Sequence, residues 1–292
     1  MLSKITAKEF DQYLDFAYRL AMDPSKSGYP TYTDQIKTSA DFIRTARQGL
    51  ESENDEILLF RQNGRTEGWI HYFREPEDRY LQTCVFNIQN GIAAAVEEFL
   101  DYIGDRFPEH HAYLGFPEEN QEAAETLLKR GFACCEESFN NTFFFDAYSP
   151  LPQKSDVRPV TRKNFQDFQS LHAFYESDMY WDSHRILADL SNWHVYICYG
   201  QTPASSVSRE QPPAGAIYFR SGGPMPEIYG IDYPEGIFNE TAYRGLLVEA
   251  LNEGKHSGAK HMTYFCDEMH LPIALELGFQ CIGKYLCFHK TI

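Results

Sequence analysis

The sequence predicts an α/β protein made of two tandem mixed-sheet domains, each flanked by helices. Three observations predict it. Strand-type and helix-type periodicities alternate along the chain. Two landmarks recur at a single offset of 147 residues, Gly68-Trp-Ile with Gly215-Ala-Ile and Gly131-Phe132 with Gly278-Phe279. Between the halves, residues 148–156 are polar and carry Pro150 and Pro152, as a linker with few contacts should. The expected bounds are therefore 1–147, a linker at 148–156, and 157–292.

In the first half, residues 6–21 form an amphipathic helix opened by Thr6, with Phe10, Leu14 and Ala17 on one stripe. A loop at 23–32 and a helix at 38–50 follow. Strands at 56–60 and 68–73 are joined by a turn at Asn63-Gly64, a strong hairpin signal. The order then runs strand 80–88, helix 91–103, strand 111–116, helix 121–130 and strand 132–145. In the second half, strand 227–233 leads to helix 241–256, stopped by Gly258. Strand 261–266, a short helix at 271–277 and strand 279–290 complete it. Residues 200–213 are expected to form a mobile hairpin loop.

Composition bounds the function. Of 292 residues 43% are apolar, enough for real cores, and no apolar run nears the roughly 18 residues of a membrane span. Residues 1–10 have no apolar stretch between their charges, unlike a secretory signal. The net charge of −16 argues against nucleic acid or an anionic membrane as a general partner. Residues 1–150 carry 14 basic against 26 acidic side chains, and the remainder 12 against 16, so the second half is the less repulsive host for an anion. Seven cysteines, an odd number without paired spacing, suit a reduced cytoplasmic protein. Neither they nor His110-His111 show metal-ligand spacing, so no metal is expected.

One run carries a resemblance. Glu227-Ile-Tyr-Gly-Ile231, then Tyr243-Arg-Gly-Leu-Leu-Val-Glu-Ala-Leu251, then Ala274-Leu-Glu-Leu-Gly-Phe279 before a strand, resembles the Gcn5-related N-acetyltransferase superfamily. With the internal repeat, the resemblance implies two tandem acyl-CoA N-acyltransferase-like domains, the N-terminal one a degenerate copy. It implies acetyl-CoA as acyl donor, bound by the C-terminal domain, and an amine of a small molecule or peptide as acceptor. Backbone N–H groups at Ile231, Asp232 and Tyr233 would polarise the thioester. The helix start at Asn239, Thr241, Ala242, Tyr243, Arg244 and Gly245 would hold the pyrophosphate, because helix N-termini offer free N–H groups to anions. Glu227 would be the general base; an exposed strand-end carboxylate is the plainer reading of the same residue.

The chain also departs from the pattern. Phe238, Thr241 and Tyr243 occupy the three key phosphate-loop positions, and none is glycine. The tyrosine acid of the family is replaced by Ala274, and by Leu127 in the first half, which leaves Tyr233, Tyr264 or Tyr285 as substitutes. In the first half the helix follows Ile88 after only Gln89-Asn90-Gly91, without room for a phosphate loop. Cys266 reads as a nucleophile or as a small buried side chain, and Asp267, Glu268 and His270 as pocket lining or a solvated turn. Between the first two helices of the second half, Asp178, Tyr180, Trp181 and Asp182 would suit a cationic amine through ionic and cation–π contacts, or would simply pack as a lid. Two functions follow: an acetyl-CoA-dependent N-acyltransferase, or a non-catalytic binding protein that kept the fold. A cleft filled by Phe238 or Tyr243 would favour the second.

Overall fold

The computed structural model describes residues 1–28, 36–176, 179–200, 211–220 and 226–292. They form two compact units, Met1–Phe139 with Ile282–Ile292, and Asn140–Cys281. The expected loops at 23–32 and 200–213 fall partly on residues 29–32 and 201–210, outside the described residues.

In the first unit, α1 (Ala7–Ala21) and α2 (Ser39–Glu51) each begin at a capping box, Thr6 with Glu9 and Thr38 with Asp41. The sheet runs β1 (Leu2–Lys4), β2 (Asp55–Gln62), β3 (Arg65–Glu75), β4 (Tyr80–Ile88), β5 (His111–Pro117). All pairs are antiparallel except β4 with β5. Helices α3 (Ile92–Arg106) and α4 (Gln121–Lys129) cover the face opposite α1 and α2. Strand alternation feeds both cores: Leu58 and Phe60 of β2 face α3, while Ile57 and Leu59 face α1 and α2.

The second unit repeats the plan with β7 (Asp156–Pro159), β8 (Trp193–Tyr199), β9 (Pro213–Arg220), β10 (Glu227–Asp232) and β11 (His261–Cys266). Helices α5 (Phe165–His172) and α6 (Ser183–Ala188) pack on one face, and α7 (Glu240–His256) and α8 (Leu271–Glu276) on the other. The Gly-Phe landmarks are the same helix stop in both units. After α4 and α8, Gly131 and Gly278 adopt φ of 79° and 104°, and the following Phe N–H bonds back to Leu127 O and Ala274 O.

The boundaries differ from 147 and 157. The last strand, β12 (Gln280–Thr291), pairs residues 285–291 antiparallel with β5 and buries Phe288 in the first unit. The strand expected to close the first half, β6 (Ala133–Phe144), instead delivers Phe143 to the second unit, where Phe145 follows it into the core. The second half gives its last strand from Ile282 onward to the first unit, and the first half gives the end of β6, from Asn140 onward, to the second. Periodicity marks a strand but carries no information about which sheet completes it.

Candidate functional site

Each unit has a parallel strand pair that diverges, followed by a helix. In the second unit β10 and β11 are in register only at Glu227–Thr263 and Ile228–Tyr264. Beyond these, a bulge at Tyr229 turns β10 away. Glu227 therefore sits at the paired end of the wedge. Asp232 and Tyr233 sit at its mouth, with α7 starting beyond them. Asn239 caps that helix by accepting the Ala242 N–H at 3.1 Å.

Side chains fill the wedge. Tyr243 is fully buried and donates from its hydroxyl to His270 O at 3.2 Å. Its ring lies 4.7 Å from the His270 ring and 5.9 Å from Phe238. Tyr233 is buried, stacks on His270 at 5.9 Å, and has its hydroxyl 3.2 Å from His270 Nε2. On the other side of that imidazole, Nδ1 meets Asp267 Oδ1 at 2.6 Å. The hydrogen bond from His270 lowers the Asp267 pKa, while burial pushes the Tyr233 hydroxyl far above its usual value. The backbone at the strand end is engaged too, since the Tyr233 N–H donates to Tyr175 Oη at 3.1 Å. Cys266 is buried beside Asn141 Nδ2, and desolvation pushes its thiol to about 12, so it is no ready nucleophile.

Most of the other described residues named from the sequence have partners within the chain. Arg244 pairs with Glu240 at 2.8 Å and Glu276 at 2.7 Å. Gly245 carries Gln153 on its carbonyl at 3.0 Å, and a Cβ there would meet Ser155 Oγ at 2.6 Å. Ile231 lies partly buried against the α7 core, and Thr241 is exposed. Asp178 lies outside the described residues. Asp182 caps α6 and pairs with Arg185, whose guanidinium lies 4.6 Å over the Tyr180 ring. Trp181 stacks under Arg220 at 4.9 Å. The cations that this aromatic-acidic segment attracts are the chain's own arginines.

Sequence reasoning missed one pair here. His172 Nδ1 lies 2.7 Å from Asp232 Oδ2, and Nε2 lies 2.8 Å from Trp181 O. A carbonyl only accepts, so Nε2 carries a proton. Burial opposes an imidazolium, but the Asp232 hydrogen bond and charge outweigh it and raise the His172 pKa. The apolar stripe Phe165, Phe168, Leu171 ending in His172 was a readable signal of a buried histidine that needs a partner.

In the first unit β4 and β5 pair only from Tyr80–His111 to Gln82–Tyr113. The chain itself enters the gap. Lys26 O accepts the Ile88 N–H at 2.8 Å, and Ser27 O accepts Asn120 Nδ2 at 3.0 Å. Gly28 lies so close that a Cβ would meet Phe86 Cβ at 2.9 Å and Gly115 O at 3.2 Å. A cavity of about 390 Å³ remains at the start of α3; Glu119, Glu122 and Glu125 line it against one cation, Lys26. That charge is unsuited to a pyrophosphate.

Diverging parallel strands, a bulge before the divergence and a helix start at the mouth occur here twice. The fold is that of the Gcn5-related N-acetyltransferases. A Gcn5-related N-acetyltransferase from Sphaerobacter thermophilus matches 99% of this chain and 95% of its own at a TM-score of 0.65 and 8% identity. A fungal glucosamine N-acetyltransferase region matches 99% of this chain and 38% of its parent chain, with a TM-score of 0.60 and 9% identity. A tandem protein of this fold from the clavulanic acid biosynthesis pathway matches 99% of this chain and 98% of its own, at 0.51 and 11%. No protein-family model and no curated protein matches the chain. No described helix is long and apolar enough to cross a membrane.

Proposed function

We propose that this chain is a ligand-binding protein that keeps the acetyltransferase fold without acetyl transfer. One observation carries the proposal: Tyr243, Tyr233 and His270 fill the wedge between β10 and β11, where the fold would admit a thioester arm. The Tyr233 N–H, needed to polarise an acyl carbonyl, is held by Tyr175. The first unit's wedge holds residues 26–28 instead.

Among the described residues of the second unit, an open cavity lies beside α7. Its volume is about 670 Å³, and it is lined by Lys154, Ser155, Asp156, Asn239, Thr241 and Ala242 from the linker and helix start, with Cys198, Tyr199 and Gln211 opposite. Lys154 and Asp156 offer both charges, and Asn239 already caps the helix start, so the lining suits a small polar ligand. None of the seven cysteines forms a disulfide, which suits a reducing compartment, and the net charge of −16 disfavours nucleic acid.

A second reading has its own observation. The hydrogen-bonded chain Asp267–His270–Tyr233 is a potential proton path to the wedge mouth, where Tyr233 would replace the acid missing at Ala274. In that case the aromatic side chains would move aside for acetyl-CoA, Glu227 would act as base, and an amine would be the acceptor.

Titrating acetyl-CoA calorimetrically, alongside an assay of free coenzyme A thiol with a panel of amines, separates the two. We expect no heat at millimolar acetyl-CoA and no thiol release. Micromolar binding that Tyr243→Glu abolishes, with amine-dependent release slowed by Tyr233→Phe, would overturn the proposal in favour of the transferase.

A further inference from the structure

On the α1–α2 face of the first unit's sheet, three side chains of different chemistry converge. His71 comes from β3, Asp55 from β2 and Cys84 from β4. One ligand atom of each lies within 4.8 Å of the other two, and His71 Nε2 is 2.8 Å from Asp55 Oδ2. The backbone arranges this. β3 pairs His71 with Val85 and Tyr72 with Thr83, so Cys84 is the extra residue of a bulge. A bulge re-aims its extra side chain, and here Cys84 packs with the residues of the His71 face.

One further observation points to a guest. His71 is 2% exposed, yet its Nδ1 has no hydrogen-bond partner, so half of a buried imidazole is unsatisfied. Helix α2 places a glycine directly over the ring: a Cβ on Gly49 would stand 2.3 Å from His71 Nε2 and 3.3 Å from Asp55 Oδ2. Glycine inside a helix costs about 1 kcal/mol relative to alanine, so the close approach of the imidazole to α2 is kept against helix propensity.

We propose that Asp55, His71 and Cys84 bind one divalent transition ion with the preferences of zinc. Thiolate, imidazole and carboxylate together suit zinc or cobalt and not magnesium or calcium. Zinc bonds of about 2.0–2.3 Å set tetrahedral donors roughly 3.3–3.7 Å apart, so His71 Nε2 and Asp55 Oδ2 would exchange their hydrogen bond for the ion and part by about half an ångström, while wider spacings would close by about 1 Å. Binding releases the thiol proton to solvent. The resulting thiolate and carboxylate neutralise the ion, which removes most of the cost of holding its charge inside the protein. Three protein ligands leave the fourth position to water or an added ligand. In the metal-free protein, desolvation and the Asp55 charge push the Cys84 thiol to about 12, so it is an inert thiol until an ion arrives.

Cobalt tests this in the full chain. Titration of Co²⁺ into metal-free protein is expected to give a thiolate-to-cobalt absorption band saturating at one equivalent and displaced by Zn²⁺. Cys84→Ser should abolish the band. Asp55→Asn should keep it but weaken Co²⁺ binding at least 10-fold, the lower end of what even outer-shell partners are worth. Replacing the exposed Cys134, Cys135 and Cys281 with serine should leave it unchanged. Absence of the band, its survival in Cys84→Ser, or its loss in the triple serine variant would each refute the site.

Discussion

His172 Nδ1 and Asp232 Oδ2 lie 2.7 Å apart inside the second unit, with side chains 0% and 3% exposed. The pair joins α5 to the end of β10 and holds a proton where solvent does not reach.

Its pH dependence has a definite sign. His172 is raised in the folded protein, so its contribution is complete below about 6.5, the unfolded value, and is lost as pH rises through the folded value. Burial also raises Asp232, which acts in the same direction. Relative to Asp232→Asn, the wild-type protein should therefore lose stability between pH 6 and pH 8. At pH 6 the variant should be less stable by about 3–5 kcal/mol, because it strands a buried partner. Urea denaturation at the two pH values measures both.

Tyr243 separates filling from hydrogen bonding. Tyr243→Phe loses the bond to His270 O and the hydroxyl's hydrogen bond with Tyr264, and should cost about 1 kcal/mol. Tyr243→Ala empties a fully buried position and should cost about 3–5 kcal/mol. Comparable losses in the two denaturation midpoints would mean that the ring does not fill the wedge as described.

Gly28→Ala tests the plug in the first unit. Its Cβ would meet Phe86 Cβ at 2.9 Å, and overpacking of this kind costs about 1–3 kcal/mol. The Ile88 amide, held by Lys26 O, should exchange with solvent faster in the variant, as hydrogen exchange would show.

Gly49→Ala runs against helix propensity. Alanine is the better helix former by about 1 kcal/mol, yet here its Cβ would strike the buried His71 ring at 2.3 Å. A lower melting temperature is expected; an increase would show that the ring has room to move.

Element order and both helix-stop corners were legible because local rules produce them. Gly-Phe after an amphipathic turn defines a left-handed stop wherever it occurs, and Thr-x-x-Glu defines a capped start. The departures at Phe238, Thr241 and Tyr243 were legible too, since bulk at a position that needs none is visible in the letters. Partnership was not legible. Tyr175 and Tyr233 are 58 residues apart, and Asp55, His71 and Cys84 come from three strands with no motif spacing. Nor was the destination of β6 and β12, because a strand's pattern is the same whichever edge receives it.

That exchange governs the order in which the molecule can be made. The edge of β5 stays bare until residues 285–291 have been synthesised, so nearly the whole chain must emerge before the first unit closes. Its final contacts span about 180 residues, as in the bond between His111 and Thr291, and such long closures slow folding. The N-terminal half would then wait as an open-edged intermediate, and the two halves could be neither cut apart at the linker nor inherited separately without each losing strand residues that complete it.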